Sequence, residues 1–342
     1  MKKVHWRSIL FVLMLFIYSA LFYVSPGYAY SEDSPIVLKC AIDNPPGDMK
    51  AKTLKRMGDM IEAQTNGRIQ FKYFYGGSLI KKSQFVDAVA RGIADISTGP
   101  VSFVTGKIPE LSIFEIYGGY KLDKYVEIQK AVWGPMKELF MPKGIYPLMF
   151  QYSGSAIFSH KSKFLKTPAD WDGQRMRLAG RWQSTLGGKQ WGASSIFMEP
   201  GDLYLALQRG VIEGYMLIWD IINGLKLYEV SPYIVDTGFS GNIEVVTMNL
   251  KKWKTLTDAD RTIFLKVVAE VTCWTYDETL KHYENIRETL TAKGVKIHTL
   301  SAEEKSLYLK DVYALYPEIR KASGEIGNQF IDILEANDFR DK

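Results

Sequence analysis

The chain has 342 residues, 46% of them hydrophobic and 24% charged, with a formal net charge of +5. That length and balance exclude a disordered or fibrous chain and leave room for two packed domains that need no cross-links. The first 29 residues hold Lys2, Lys3 and Arg7 and no acid, so without them the net charge falls to +2; no long Lys/Arg block and no basic stripe with interleaved aromatics remains to recognise nucleic acid.

Behind those cations an apolar run extends from Ile9 to about Val24, and Gly27-Tyr28-Ala29 puts small residues at the edge of a cleavage site before Tyr30. This is the anatomy of a secretory signal peptide, residues 1–29, cleaved near Ala29. An uncleaved anchor is the competing reading, because the run approaches the ~20 residues that span a bilayer. Both readings put the remainder outside the cytoplasm.

After a polar segment from Ser31 to Ser34, "IVLKCAID" (36–43) has the continuous apolar pattern of a buried strand, ended by Asn44-Pro45-Pro46-Gly47. A helix carrying Met49, Leu54, Met57 and Ile61 follows and stops at Asn66-Gly67. "RIQFKYF" (68–74) alternates as a second strand; a helix with Phe85, Val86 and Val89 closes at Gly92, and "IADIST" (93–98) is a third strand. Strands alternating with helices at this spacing argue for α/β layers around a largely parallel sheet. The alternation weakens from Pro109 to Gly144 and resumes with "IYPLMFQY" (145–152). A second α/β set then runs through "SAIFSH", "QRMRLAG", a helix from about Trp182, "SSIFME", a helix from Pro200 to Arg209, and "VIEGYML". From Lys252 onward the pattern is mainly helical, broken by a late strand, "GVKIHTL" (294–300). Two such lobes leave a cleft between them, and ligands of these sheets sit beyond the carboxyl ends of the strands. Asn44, after the first strand, and Thr98, ending the third, are therefore candidates to face that cleft.

Enzyme signatures are missing from the sequence. There is no G-x-S-x-G elbow, no H-E-x-x-H, no phosphate loop and no G-x-G-x-x-G behind a strand. Past the signal peptide only His160, His282 and His298 remain, none with a second histidine or cysteine at metal-ligand spacing. No cofactor and no metal are expected. Cys40 falls in the first strand pattern and Cys273 in a late helix; an exported protein can pair two such cysteines, but their placement favours two buried thiols.

The strongest signal starts at Thr167-Pro168-Ala169-Asp170-Trp171-Asp172-Gly173, which leads into "QRMRLAGRW" (174–182), then "WGASSIFMEPGDLYLALQRGVIEGY" (191–215), then "LKLYEVSPYI". This order resembles the extracytoplasmic solute receptors of tripartite ATP-independent periplasmic (TRAP) transporters, of the dicarboxylate-receptor (DctP) type. That family carries a D-x-x-G-x-K-x-R-like strand, then G-A-s-P-x-x-m, E-x-Y-x-A-L-q-x-G-v-v-D-G and Y-E-V. Asp202 to Gly214 matches nearly every step of the third motif, with Asp for the opening Glu and Glu213 for the closing Asp. Thr65-Asn66-Gly67-Arg68 and Gly92-Ile93-Ala94-Asp95 resemble two upstream landmarks.

The resemblance implies a two-lobed, periplasmic-binding-protein-like α/β fold with a central ligand cleft and long bridging C-terminal helices. The expected lobes are residues 34–152 with 243–282, and 153–242 with 283–340. It also implies a monomeric periplasmic receptor, not an enzyme, that binds a small carboxylate and delivers it to two integral membrane partners, a small and a large subunit driven by an ion gradient. A periplasmic enzyme acting on a carboxylate and a sensory receptor are the alternatives.

The resemblance places on Arg177 the arginine that grips the ligand carboxylate, a role for which a planar guanidinium fork suits both oxygens. Alternation alone cannot choose between Arg175 and Arg177, which point the same way from a strand. Arg181 and Trp182, in the turn that follows, are candidates for ligand contact; Tyr204 and Gln208 are read as packing and capping residues. Sialic-acid receptors of the family have an asparagine where this chain has Leu217, and an arginine at the lobe crossing where it has Tyr152-Ser153-Gly154-Ser155. Both departures argue against a sialic acid. Tyr152, Trp182 and Trp219 are candidates for an aromatic lining, and Asp220 for either a donor-reading group or the partner of an arginine.

Overall fold

The computed structural model describes residues 35–241 and 243–340; the signal-peptide reading of residues 1–29 lies outside them. One sheet takes β1 (Ile36–Ala41), β2 (Ile69–Phe74), β3 (Ile96–Pro100) and β4 (Ile145–Gln151) from a single stretch of chain. The next stretch supplies the other with β5 (Ser155–His160), β6 (Arg175–Arg177), β7 (Ser194–Ile196), β8 (Gly214–Leu217) and β9 (Tyr233–Ser240). β10 (Glu244–Asn249) then returns to the first sheet and β11 (Lys296–Thr299) to the second. In space the orders are β2-β1-β3-β10-β4 and β11-β9-β5-β8-β6-β7.

Both sheets are mixed, where the sequence pattern favoured largely parallel ones. β1 runs parallel to β2 and β3, β6 to β7 and β8, and β9 to β11. β10 is antiparallel to β3 and β4, and β5 to β8 and β9. The exceptions are the strands that enter from the opposite sheet. With no helical crossover to turn the chain round, each arrives from the cleft end and runs against its neighbours. β9 and β10, which carry the second crossing, had no counterpart in the strand pattern read from sequence.

The two crossings lie side by side. Glu244 pairs with Gln151 just before the chain leaves the first sheet, and Ser240 pairs with Ser155 just after it enters the second. Between them the backbones touch: a Cβ on Gly241 would lie 2.7 Å from the Gly154 carbonyl oxygen. β4 and β10 are buried along their whole length, as expected for strands covered on both faces.

Helix Met49–Gln64 begins at Asp48, whose carboxylate accepts Lys50 N–H at 2.8 Å, and buries Leu54, Met57 and Ile61 against the first sheet. It ends in two left-handed residues, Asn66 (φ 51°) and Gly67 (φ 74°). The long helix Asp258–Ala292 starts from a Thr257/Asp260 capping box, with Arg68 paired to Asp260. It packs first on Met49–Gln64 and β4, then on Trp219–Gly224 and β11, so it bridges both lobes. Helix Ala302–Ala314 stays with the second lobe, where the Tyr308 hydroxyl accepts Trp171 Nε1–H and donates to the Leu165 carbonyl, both at 2.9 Å. Helix Tyr316–Ala336 instead lies on Pro109–Phe114 and helix Tyr125–Phe140, with Phe330 5.2 Å from Phe114. The chain end therefore returns to the first lobe, whereas the expected boundaries left it in the second. Cys40 is buried, Cys273 is exposed and both are free thiols, so the expectation of two buried thiols fails at Cys273, on the outer face of the long helix.

Gly154 has φ 73°, and a Cβ there would lie 2.3 Å from Tyr283 Cε2, whereas Gly173 has φ 71° with nothing within 4 Å. Gly154→Ala should therefore cost about 1–3 kcal/mol more than Gly173→Ala, the clash adding to backbone strain common to both. Urea-denaturation midpoints of the two variants check this; equal losses would show that Tyr283 yields freely.

Candidate ligand-binding site

The carboxyl ends of β3, β4, β6 and β8 and the amino end of β10 converge between the lobes. There Pro100, Ser153, Arg177, Leu217 and Glu244 line a cavity together with Ser102, Phe103, Tyr117, Ala179, Gln183, Met216, Ile218 and Ile221. Lys82, Pro200 and Ile221 are shared with a neighbouring, larger cavity. That second space is edged by Asp43, Asn44, Asp48, Lys81, Glu199, Asp202 and Asp220. Phe103 of the first lobe meets Phe197 of the second edge-on at 5.8 Å, and Phe197 stays largely exposed.

Arg177 is 3% exposed. Its Nε donates to the Met198 carbonyl at 3.1 Å and its Nη1 to the Met216 carbonyl at 3.4 Å, which holds the guanidinium against the cleft wall. No carboxylate lies within ion-pair distance among the described residues. Burial pulls its pKa down to about 10, with Tyr117 and Glu199 opposing from farther away. A guanidinium stays charged at neutral pH even so, and a desolvated charge without a counter-ion is costly. Arg175 differs: it is exposed, with Nη2 3.2 Å from Glu213 Oε1.

The other charges that line the first cavity are matched internally. Glu244 Oε1 lies 3.2 Å from Lys82 Nζ and 3.4 Å from Lys50 Nζ. Burial pushes the Glu244 carboxyl up, but the two lysines outweigh it and hold it below its ordinary value. Asn44 bridges Lys82, through Oδ1 at 3.2 Å, and Asp48, through Nδ2 at 2.8 Å. Asp220, at the start of helix Trp219–Gly224, is 2.7 Å from His282 Nε2 and accepts the Tyr283 hydroxyl at 3.2 Å. Its partners are thus a histidine and a tyrosine of the long helix, not an arginine.

Of the residues singled out from sequence, Arg177 lines the first cavity, and Asn44 and Asp220 line the second. Thr98 stands behind the wall, its hydroxyl donating to Gln151 Oε1 at 3.0 Å. Trp182 and Trp219 are core residues, each 1% exposed. Tyr152 is buried edge-on against Tyr125 and Tyr276, and Arg181 is exposed with its guanidinium 4.9 Å from the Trp182 ring. The polar lining comes instead from Lys82, Ser102, Tyr117, Ser153, Gln183 and Glu244, which no motif marked. Ser153 and Gln183 do adjoin marked positions, Tyr152 and Trp182.

Glu115, from the first lobe, is fully buried against the second. It accepts Trp182 N–H at 2.6 Å and Gln183 N–H at 3.2 Å, and Thr105 Oγ1 donates to its other oxygen. Gly180 makes room, since a Cβ there would lie 2.2 Å from Glu115 Oε1. Glu115 thus ties the lobes together at the start of the helix after β6 and fixes the backbone of Gln183.

A cleft between two α/β lobes, with a buried guanidinium on its wall, is the build of a solute-binding receptor. Residues 41–322 match the family described as bacterial extracellular solute-binding protein, family 7 (DctP), and the chain belongs to it. Proteins of this family are solute-binding receptors, not enzymes. The C4-dicarboxylate-binding periplasmic protein DctP of Vibrio cholerae is 25% identical over 297 residues, 86% of each chain. The fold is that of a TRAP periplasmic solute-binding protein from Marinobacter aquaeolei in an open, ligand-free structure (TM-score 0.80, 18% identity, 87% of this chain and 99% of that one). It is also that of a counterpart from Sulfurospirillum deleyianum with bound succinate (TM-score 0.76, 23% identity, 88% and 98%).

Burial raises the Glu115 pKa from 4.5 to about 7, against the hydrogen bonds from Thr105, Gln183 and Trp182. The folded protein therefore binds this proton more tightly than the unfolded chain. The stabilisation is complete below about pH 4.5 and is lost as the pH rises through about 7. Glu115→Gln should gain stability relative to wild type between pH 5 and pH 8. Urea midpoints of both proteins at the two pH values test it, with an unchanged gap as the contrary result.

Proposed function

We propose that the chain is a periplasmic receptor of a TRAP transporter, in which Arg177 captures the carboxylate of a small organic acid. The observation that carries this is the buried, unpaired guanidinium of Arg177 at the convergence of both lobes. Its Nε and one Nη1 hydrogen are occupied by carbonyls, leaving the Nη1/Nη2 end of the fork for the two oxygens of a carboxylate. The relatives support the same chemistry: one is named for C4-dicarboxylate binding and another holds succinate.

In this reading the fold also serves delivery. The paired crossings and the long helix are the covalent links between the sheets, and a hinge there lets the lobes open and close about the ligand. Closure brings Phe103 to Phe197 and Glu115 to the Trp182 and Gln183 amides, giving a loaded form that membrane subunits can tell from the open one. A signal peptide, cleaved near Ala29, places this receptor in the periplasm, where a small and a large membrane subunit receive the acid.

A thermal-shift screen of the mature protein against mono- and dicarboxylates, sugar acids and aromatic acids should find the ligand by its rise in melting temperature. Calorimetry should then show that Arg177→Ala weakens binding by about 2–5 kcal/mol, and that Arg177→Lys, which keeps charge but not the fork, restores little of it. Arg177→Met should bind no acid and yet be as stable as wild type without ligand, since a buried charge gives way to packing. Unchanged affinity in Arg177→Ala would sink the carboxylate clamp.

A further inference from the structure

The first sheet has a second end, away from the cleft, where β3 and β4 begin and β10 finishes, with Met248 opposite Ile96 and Asn249 opposite Ile145. The segments that join the strands there are tied to one another. The Asn249 side-chain amide donates to the Val89 carbonyl at 2.7 Å, which links the end of helix Phe85–Ala90 to the start of helix Leu250–Thr255. Leu250 N–H donates to the Gly144 carbonyl at 2.9 Å, and a Cβ on Gly144 would lie 3.8 Å from the Ala90 carbonyl oxygen. Each segment brings cations to this pole: Arg91 after the first helix, Lys143 in the turn before β4, and Lys251, Lys252 and Lys254 on the second helix. Lys252 is half-buried and the others are exposed. Among the described residues none of them pairs with a carboxylate: Asp87 is taken by Lys107 at 2.6 Å, and Asp95 is buried, accepting Lys39 N–H at 2.8 Å. Glu138, exposed near the end of helix Tyr125–Phe140, opposes them with a single charge.

Like charges held this close cost stability while nothing answers them, and Lys251 and Lys254 are i,i+3 neighbours on one helix. The chain without residues 1–29 carries a formal net charge of only +2, so the surface away from this pole is net negative and the molecule is strongly polarised. Apolar groups stand among the cations. Ile93 is 46% and Met141 37% exposed, and Lys143 edges a hollow lined by Val86, Ala90, Val104 and Ile108. We infer that this pole rests on an anionic phospholipid surface, with the lysines and Arg91 among the lipid phosphates and Ile93 and Met141 against the apolar boundary. Lysine is a flexible point charge that suits a fluid layer of phosphates, whereas the arginine forks that fix one folded acidic partner are represented here by Arg91 alone. Because the pole lies at the far end of the sheet, a receptor resting on it keeps its cleft clear of the bilayer, whichever acid it binds.

The test is co-sedimentation of the mature protein with vesicles of phosphatidylglycerol and phosphatidylcholine in equal parts, and with vesicles of phosphatidylcholine alone. Binding to the anionic vesicles should be at least about tenfold stronger, and should weaken at least about tenfold between about 0.01 M and about 0.15 M salt. Lys251→Glu with Lys254→Glu should lower it at least about tenfold. Arg91→Gln with Lys143→Gln, which serves if the short helix does not tolerate glutamate, should lower it at least about threefold. Lys189→Glu with Lys310→Glu replaces two exposed lysines of the second lobe, makes the same change in net charge as the first pair, and should leave binding within about twofold. Equal binding to both kinds of vesicle, or equal losses in the pole and second-lobe variants, overturns the assignment. So does retention on poly-glutamate beads without binding to vesicles, which would give the pole to an acidic protein face.

Discussion

The architecture depends on two short crossings that touch. Gln151 to Ser155 and Ser240 to Glu244 pass between the sheets as neighbours, paired at each end and pressed together at Gly154 and Gly241. Because each carries a strand directly from one sheet to the other, the cleft ends of both sheets face each other. This is why residues as distant in sequence as Pro100, Ser153, Arg177 and Glu244 share one wall. The long helix Asp258–Ala292 reinforces the junction with Tyr276 against Tyr152 and Tyr283 against Gly154 and Asp220. A packed aromatic at a hinge restricts the paths along which the lobes can move without loosening either core.

Within that frame the charges fall into two groups. Lys50, Lys82 and Glu244 form a buried cluster whose members stabilise one another: burial lowers the Lys50 pKa, yet Glu244, Asp48 and Asp220 together raise it above its ordinary value. Asp48 is pushed up, chiefly by burial, with Lys50 and Lys82 opposing and Asp220 adding to the rise. These groups need no ligand to balance them. Arg177 has only carbonyl dipoles, which orient it and leave its charge uncompensated. On the proposed reading, selectivity for an anion comes from that one mismatch, not from an overall positive field.

Much of the fold was legible because it is written locally. β5 spans the six residues of "SAIFSH", and Asn66-Gly67 ends its helix through the left-handed turn those residues favour. β10 escaped notice because what makes it a strand is its pairing with β3 and β4, more than ninety residues away in sequence. The site shows the same division. Alternation sends Arg175 and Arg177 the same way, but β6 is only three residues long: its first residue is at the surface beside Glu213 and its last is in the cleft. The family register distinguished them where periodicity could not. Trp182 and Trp219 drew attention by size, and size is what took them into the core. Gln183 carries no such signal; it stands on the wall with its backbone held by Glu115.

On the proposed reading the same wall couples occupancy to shape: closing the lobes takes the Arg177 guanidinium and the polar atoms of Gln183 and Ser153 out of water. An acid that satisfies them removes this cost only from the closed form, so its differential affinity shifts the equilibrium toward closure. On the same reading Glu115 opposes that bias, since its bonds to the Trp182 and Gln183 amides join the lobes without the acid taking part. Its raised pKa limits the opposition, because the carboxyl is least costly to bury when protonated, and the ionised form above about pH 7 sits in a site that disfavours its charge. The balance between open and closed forms is thus set by two buried groups of opposite sign, of which only the arginine is answered by the ligand.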